Sequence, residues 1–194
     1  MDFITRNILP ILAGLLLIYT PFFWCRKKNI DPESFGLSWK FKKKDLLECF
    51  ALTFAVLGLL TVVSLNWPWE SLPRSSSVGR TLNIASAGIA AAIIEEIFYR
   101  GWLQQLFKKK MHPIFAVMLT SAIFASSHVF VAKAPFMIAV FFPGCIMGYL
   151  RERHGNISTA TLFHGLSNLW AVWLSPLKWP TIGWVMQRLS DIIQ

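Results

Sequence analysis

The chain has 194 residues, of which 55% are hydrophobic and only 15% are charged, and its formal net charge is +9. Soluble domains contain about 25% charged residues, so this composition argues against an ordinary soluble domain and favours one domain embedded in a membrane. Because an open β-sheet cannot satisfy its backbone hydrogen bonds in lipid, we expect an all-α helical bundle. The three cysteines are scattered and form no CxxC spacing, which indicates neither a disulfide framework nor a zinc site.

Six hydrophobic stretches follow one another along the chain, each near the ~20 residues that cross a bilayer. We predict transmembrane helices at about 5–24, 46–66, 84–106, 113–132, 135–150 and 157–175. The last stretch, 181–194, is short and polar, and we expect an interfacial helix there. Residues 1–194 are therefore expected to form a single integral membrane domain.

Basic residues cluster in three connections of this six-span bundle, at 25–45, 108–110 and 151–154. All three connections lie on one side of the membrane, so the positive-inside rule places them in the cytoplasm and the N-terminus outside. The compact chain is typical of a prokaryotic inner or plasma membrane protein. Because topology accounts for the positive charge, we expect the lipid bilayer and no nucleic acid as a partner. The sequence does not specify an oligomeric state.

Two carboxylates and a guanidinium lie inside the third predicted span, at Glu95, Glu96 and Arg100. A charged group at the centre of a membrane helix costs about 2.5–3.5 kcal/mol on insertion scales and usually marks a functional site. Residues four apart share one face of an α-helix, so Glu96 and Arg100 are expected to pair. Glu95 has no such local partner, and we expect it to meet a group on another helix.

Two later spans contribute further polar residues, His128 on one and the pair His164 and Asn168 on the other. A carboxylate beside an imidazole can activate a water molecule, and a second imidazole with a carboxamide can stabilise an oxyanion. The same set allows other interpretations. Two histidines and a glutamate could ligate zinc, although no HExxH motif is present. The buried polar residues could also serve a non-catalytic scaffold, a small transporter or a proton relay.

Three motifs on separate predicted spans resemble those of a known family. They are Glu95-Glu96-Ile97-Phe98-Tyr99-Arg100-Gly101, Phe124-x-x-x-His128 and His164-x-x-x-Asn168. In this order they resemble the CPBP family, the CAAX protease and bacteriocin-processing (Abi) family of intramembrane endopeptidases. The resemblance covers about residues 84–175, and Tyr99 stands where the family usually has phenylalanine.

The resemblance implies a glutamic-type endopeptidase that hydrolyses a peptide bond of a membrane-associated protein or peptide precursor. In that family pattern Glu95 and His128 activate the water, while His164 and Asn168 stabilise the oxyanion. The other polar residues of the first motif support the site structurally: Glu96, Arg100 and Tyr99. The implied mechanism needs no cofactor, and metal-dependent hydrolysis with zinc is the runner-up.

A pair of glycines on the fifth predicted span, Gly144 and Gly148, shares one helix face. Small residues four apart let membrane helices approach closely. We expect this face to pack against the helix that bears His128 or the one that bears His164.

Overall fold

The structure, a computed structural model, describes residues 8–68, 70–128 and 134–176, with the backbone alone at 9–10 and 134–138. Within these ranges every regular element is a helix, which confirms the all-α prediction. The elements are α1 (Leu9–Lys28), α2 (Pro32–Phe35), α3 (Lys43–Leu65), α4 (Val78–Glu96), a π-helical segment (Ile97–Leu103), α5 (Gln104–Lys108), α6 (Pro113–Ser127), α7 (Ala134–His154) and α8 (Ser158–Leu174).

The predicted hydrophobic stretches coincide with the long helices, because α4, the π-helical segment and α5 continue into one another. The short helix α2, inside the basic connection 25–45, was not predicted. It begins where the Asp31 carboxylate accepts a hydrogen bond from the Ser34 N–H, 2.8 Å away. It ends at Gly36, whose φ of 113° is open to glycine and disfavoured for other residues. The interfacial helix predicted at 181–194 lies outside the described residues.

Two of the described helical runs are long and apolar enough to cross a membrane, Lys43–Leu65 with a mean hydropathy of 2.3 and Val78–Lys108 with 1.4. Only 11% and 17% of their most apolar windows are buried inside the protein. The core helix of a soluble protein would be mostly buried, so these two helices have the exposure expected of membrane spans. Six spans and an outside N-terminus remain predictions.

The bundle buries several charged and polar side chains and exposes many large apolar ones. Phe54 and Leu16 are 74% and 68% exposed, whereas Glu96 and Arg100 are fully buried. In water such an arrangement would leave large apolar patches uncovered. In a bilayer, lipid chains cover the outer faces, and polar groups are buried where they find partners.

Packing between the long helices brings the predicted site residues to one region. α4 packs along α8, α6 along α7, and α3 along α8. The prediction for the glycine face is confirmed, because it packs on α6, the helix that ends next to His128. A Cβ atom at Gly144 would lie 3.1 Å from the Ser121 Cβ, and one at Gly148 would lie 2.7 Å from a Val117 methyl carbon.

Candidate active site

The helix that carries both glutamates changes its winding directly after them. Residues Ile97–Leu103 are π-helical, with backbone hydrogen bonds five residues apart, and π-helical turns are frequently found at functional sites. Within this segment Gly101 lies against Leu37, and a Cβ atom there would collide with the leucine side chain. The π-helical segment was not predicted, since the sequence was interpreted with a uniform spacing of 3.6 residues per turn.

A buried network joins Glu96, Arg100 and His164. The Arg100 Nη1 donates to the Glu96 Oε1 at 2.8 Å, which confirms the predicted pair, and Arg100 Nη2 donates to the Gly144 carbonyl oxygen at 3.1 Å. The same Glu96 oxygen lies 2.9 Å from His164 Nδ1 on α8. The guanidinium also lies 4.3 Å from the centre of the Phe124 ring. A charge-assisted network of this kind fixes the orientation of the imidazole.

Glu95 meets His164 from the other side. Its Oε2 lies 3.7 Å from His164 Nε2, and its side chain is 24% exposed. It also interacts electrostatically with His128. The distance to His164 exceeds that of a direct hydrogen bond, and a polar gap of this size is one that a water molecule can bridge. His164 is therefore held between two carboxylates, one bonded to it directly and one slightly further away.

His128 follows the end of α6, with its Nδ1 2.8 Å from the Phe124 carbonyl oxygen. A carbonyl can only accept, so Nδ1 carries the proton and Nε2 of the neutral ring is left with a lone pair. Phe124 contacts both imidazoles edge-on, with ring centroids 4.7 Å from His128 and 5.7 Å from His164. Tyr99 is buried and packs edge-on against the same phenylalanine at 5.0 Å.

Asn168 lies one turn beyond His164 on α8 and connects that helix to α4. Its Nδ2 donates to the Gly88 carbonyl oxygen at 2.9 Å. A Cβ atom at Gly88 would lie 3.1 Å from the Asn168 Cβ, so a glycine here allows the close approach. This contact uses one N–H of the carboxamide and leaves the second N–H available to another acceptor.

A cavity of about 230 Å³ reaches these polar groups between α3, α7 and α8. His128, His164 and Asn168 line it together with mostly apolar side chains, among them Val56, Met147 and Phe163. An apolar cavity with a few convergent polar groups is the usual form of a ligand or substrate site. Asn168 also lines an open groove along α4, next to Gly88 and Ala91.

The structure thus places Glu95, Glu96 and Arg100 around His164, and it places His128 and Asn168 on the wall of the same cavity. The catalytic roles of these residues remain predictions. Within the described part of the chain, no group of three His, Cys, Asp or Glu side chains is arranged to hold a metal ion.

Among the buried polar residues that the sequence analysis did not identify, three are fully buried near the site: Gln104, Thr120 and Ser121. Gln104 could have been found, because it continues the spacing of four residues that relates Glu96 to Arg100. Thr120 and Ser121 give no such signal, since hydroxyls are common in apolar helices.

Comparison with known families gives one match. Residues 77–170 match the family model described as type II CAAX prenyl endopeptidase Rce1-like, just under half of the chain. The matched segment begins at Ser77, the residue that caps α4, and ends inside α8. It contains every predicted site residue from Glu95 to Asn168. Comparison of the chain with curated proteins and with solved structures found no match.

Proposed function

We propose that this chain is an intramembrane endopeptidase, since residues 77–170 match the model of the Rce1-like family of type II CAAX prenyl endopeptidases, which are membrane-embedded peptidases. It hydrolyses a peptide bond of a membrane-associated protein or peptide, from within a prokaryotic inner or plasma membrane. One observation carries the proposal: at a cavity wall, His164 is held between Glu96 at 2.9 Å and Glu95 at 3.7 Å. A scaffold would not need two carboxylates at one imidazole.

The nucleophile is a water molecule held near Glu95. The 3.7 Å gap between Glu95 Oε2 and His164 Nε2 suits one water that contacts both atoms. Glu95 removes a proton from this water while its oxygen attacks the carbonyl carbon of the substrate. The proton then passes to the leaving amine nitrogen as the peptide bond breaks. His128 contributes the Nε2 lone pair, which shares the proton while the water is activated.

Oxyanion stabilisation is assigned to α8. His164 Nδ1 donates to the Glu96 carboxylate, and in the imidazolium form, which we assign to His164 in this step, Nε2 also carries a proton that can donate to the developing negative charge. The second N–H of Asn168 is not used by the Gly88 contact and can also donate to the developing negative charge. Arg100 and Tyr99 hold the Glu96 side chain in position against His164. No step of this mechanism uses a metal ion.

The test uses purified protein in lipid nanodiscs and a quenched fluorescent peptide ending in a CAAX sequence, with and without a farnesyl group. The unaltered chain is expected to cleave at least one peptide, and Glu95→Gln to cleave neither while its melting temperature shifts by less than about 4 °C. Glu33→Gln, at an exposed carboxylate on α2, is the matched control and should retain full activity. Cleavage by Glu95→Gln at the unaltered rate would contradict the proposed role of this carboxylate.

A further inference from the structure

Five fully buried polar side chains carry an atom with no hydrogen-bond partner among the described residues. We call this set the polar stripe, and the atoms are Glu96 Oε2, Arg100 Nε, Gln104 Oε1, Thr120 Oγ1 and Ser121 Oγ. Buried polar atoms in proteins nearly always have a partner, and ordered water supplies it where the protein does not. Both donors and acceptors are present, which is what successive water molecules require.

The polar stripe connects the candidate active site with the basic surface. Glu96, Arg100 and Gln104 follow one another at intervals of four residues, and the next position is the exposed Lys108. Gln104 Nε2 donates to Glu152 Oε1 at 3.1 Å, and Lys108 forms an ion pair with the other oxygen of Glu152. At 1.5 Å per residue, the distance from Glu96 to Lys108 is about 18 Å.

The glycines of α7 border two of the five atoms of the polar stripe, Ser121 Oγ and Gln104 Oε1. A Cβ atom at Gly144 would lie 3.3 Å from both Ser121 Oγ and Arg100 Nη2, and one at Gly148 would lie 3.1 Å from Gln104 Oε1. Because neither glycine has a side chain, α7 approaches the polar stripe without covering its oxygen and nitrogen atoms with apolar groups. On α6, Thr120 lies one turn before Phe124, whose ring lies 4.3 Å from the Arg100 guanidinium, so the Thr120 side chain shares the helix face that packs toward Arg100.

We propose that the polar stripe binds a row of water molecules and delivers water from the surface at Lys108 and Glu152 to Glu96, the residue next to Glu95, which holds the nucleophilic water in the proposed mechanism. This inference rests on the proposed function, because each hydrolysed peptide bond consumes one water. A substrate in the cavity lined by His128, His164 and Asn168 would close that route to solvent. The polar stripe reaches His164 through Glu96, which does not line that cavity, so a substrate in the cavity would not occupy the stripe.

Thr120→Val tests the proposal because a bound water at Thr120 Oγ1 and a dry site predict opposite signs for the change in melting temperature. Valine has the shape of threonine without the hydroxyl. If Thr120 Oγ1 holds a water, its loss lowers the melting temperature by about 2–4 °C and lowers kcat by roughly three- to tenfold at unchanged KM. If the site is dry, removal of an unpaired buried hydroxyl raises the melting temperature and leaves kcat unchanged, which would overturn the proposal.

Thr53→Val is the matched control. Thr53 is buried on α3, and its hydroxyl donates to the Cys49 carbonyl oxygen at 2.7 Å, away from the polar stripe. This variant should lose stability and keep the unaltered kcat. An equal loss of kcat in both variants would mean that loss of any buried hydroxyl lowers activity. A lower melting temperature with unchanged kcat in Thr120→Val would mean that the water at Thr120 has only a structural role. Either result would refute the delivery of water along the stripe.

A high-resolution structure in nanodiscs gives a readout that does not depend on substrate. Water density within hydrogen-bond distance of Thr120 Oγ1 and Gln104 Oε1 is expected, and direct packing without water at both atoms would contradict the inference. If no peptide is cleaved by the unaltered chain, the proposed function fails. The density and the sign of the melting shift still decide whether the stripe holds water.

Discussion

Glu96→Gln removes a negative charge from the bundle interior and keeps the size of the side chain. The unaltered carboxylate is fully buried and accepts from Arg100 at 2.8 Å and from His164 at 2.9 Å. Arg100 is also fully buried, and its other acceptor is the neutral Gly144 carbonyl. In the variant the guanidinium keeps that carbonyl but loses its counter-ion, so the folded state contains an uncompensated charge.

The expected cost is about 3–5 kcal/mol, as for other buried ion pairs that lose one partner. At about 2–4 °C per kcal/mol for a chain of this length, the melting temperature should fall by about 6–20 °C. Tryptophan fluorescence during heating in nanodiscs measures the shift. Glu95→Gln is the matched control: its carboxylate is 24% exposed and has no direct hydrogen bond to His164, so its shift should stay below about 4 °C.

A double variant separates the charge from the packing. Glu96→Gln combined with Arg100→Met removes both charges, and replacement of a buried pair by apolar groups often costs little. The double variant should therefore melt above Glu96→Gln alone. If Glu96→Gln itself melts within about 2 °C of the unaltered protein, the ion pair does not contribute to the fold as described.

Four further outcomes are expected. Gly148→Leu should lower the melting temperature and the folded yield in detergent, because the new side chain would collide with Val117. Gly58→Leu, at a glycine with no neighbour within 4 Å, should lower neither. Equal melting temperatures of the two variants would argue against close packing on α7. His164→Ala and Asn168→Ala should each lower kcat by about 10²–10³-fold, the scale for an oxyanion donor, and near-normal turnover would remove that role. Peptidase activity should survive exhaustive chelation, and zinc that is lost with activity and restores it on addition would reverse this expectation. A cysteine at Lys43 should react with impermeant reagents only from the cytoplasmic side, and ready labelling from outside intact cells would invert the topology.

The positions of the long helices were predictable because each one needs a long apolar segment. α3 and α8 are examples, since lipid or helix packing covers nearly every side of them and their sequences are mostly apolar. The Glu96–Arg100 pair was predictable for a local reason, as four residues bring two side chains to one helix face.

Contacts between distant segments were not predictable in the same way. Glu96 and His164 are 68 residues apart, and their contact depends on how α4 packs along α8, which no local spacing encodes. The sequence analysis assigned Glu96 to Arg100 and left Glu95 to find a partner elsewhere. In the structure both glutamates face the same imidazole. The π-helical segment could not be predicted either, because the composition of Ile97–Leu103 suits an α-helix.

The π-helical segment contains one residue more than a regular α-helix would need between the active site and the basic surface. A π-helical turn contains one residue more than an α-helical turn, so a deletion within Ile97–Leu103 would let the segment relax to a regular α-helix. Gln104 would then keep nearly the same direction toward Glu152. A deletion in the regular part of α4 would instead rotate everything beyond it by about 100°. Relatives that differ by a one-residue gap would therefore keep both the glutamates and the connection beyond them only where the gap lies within this segment.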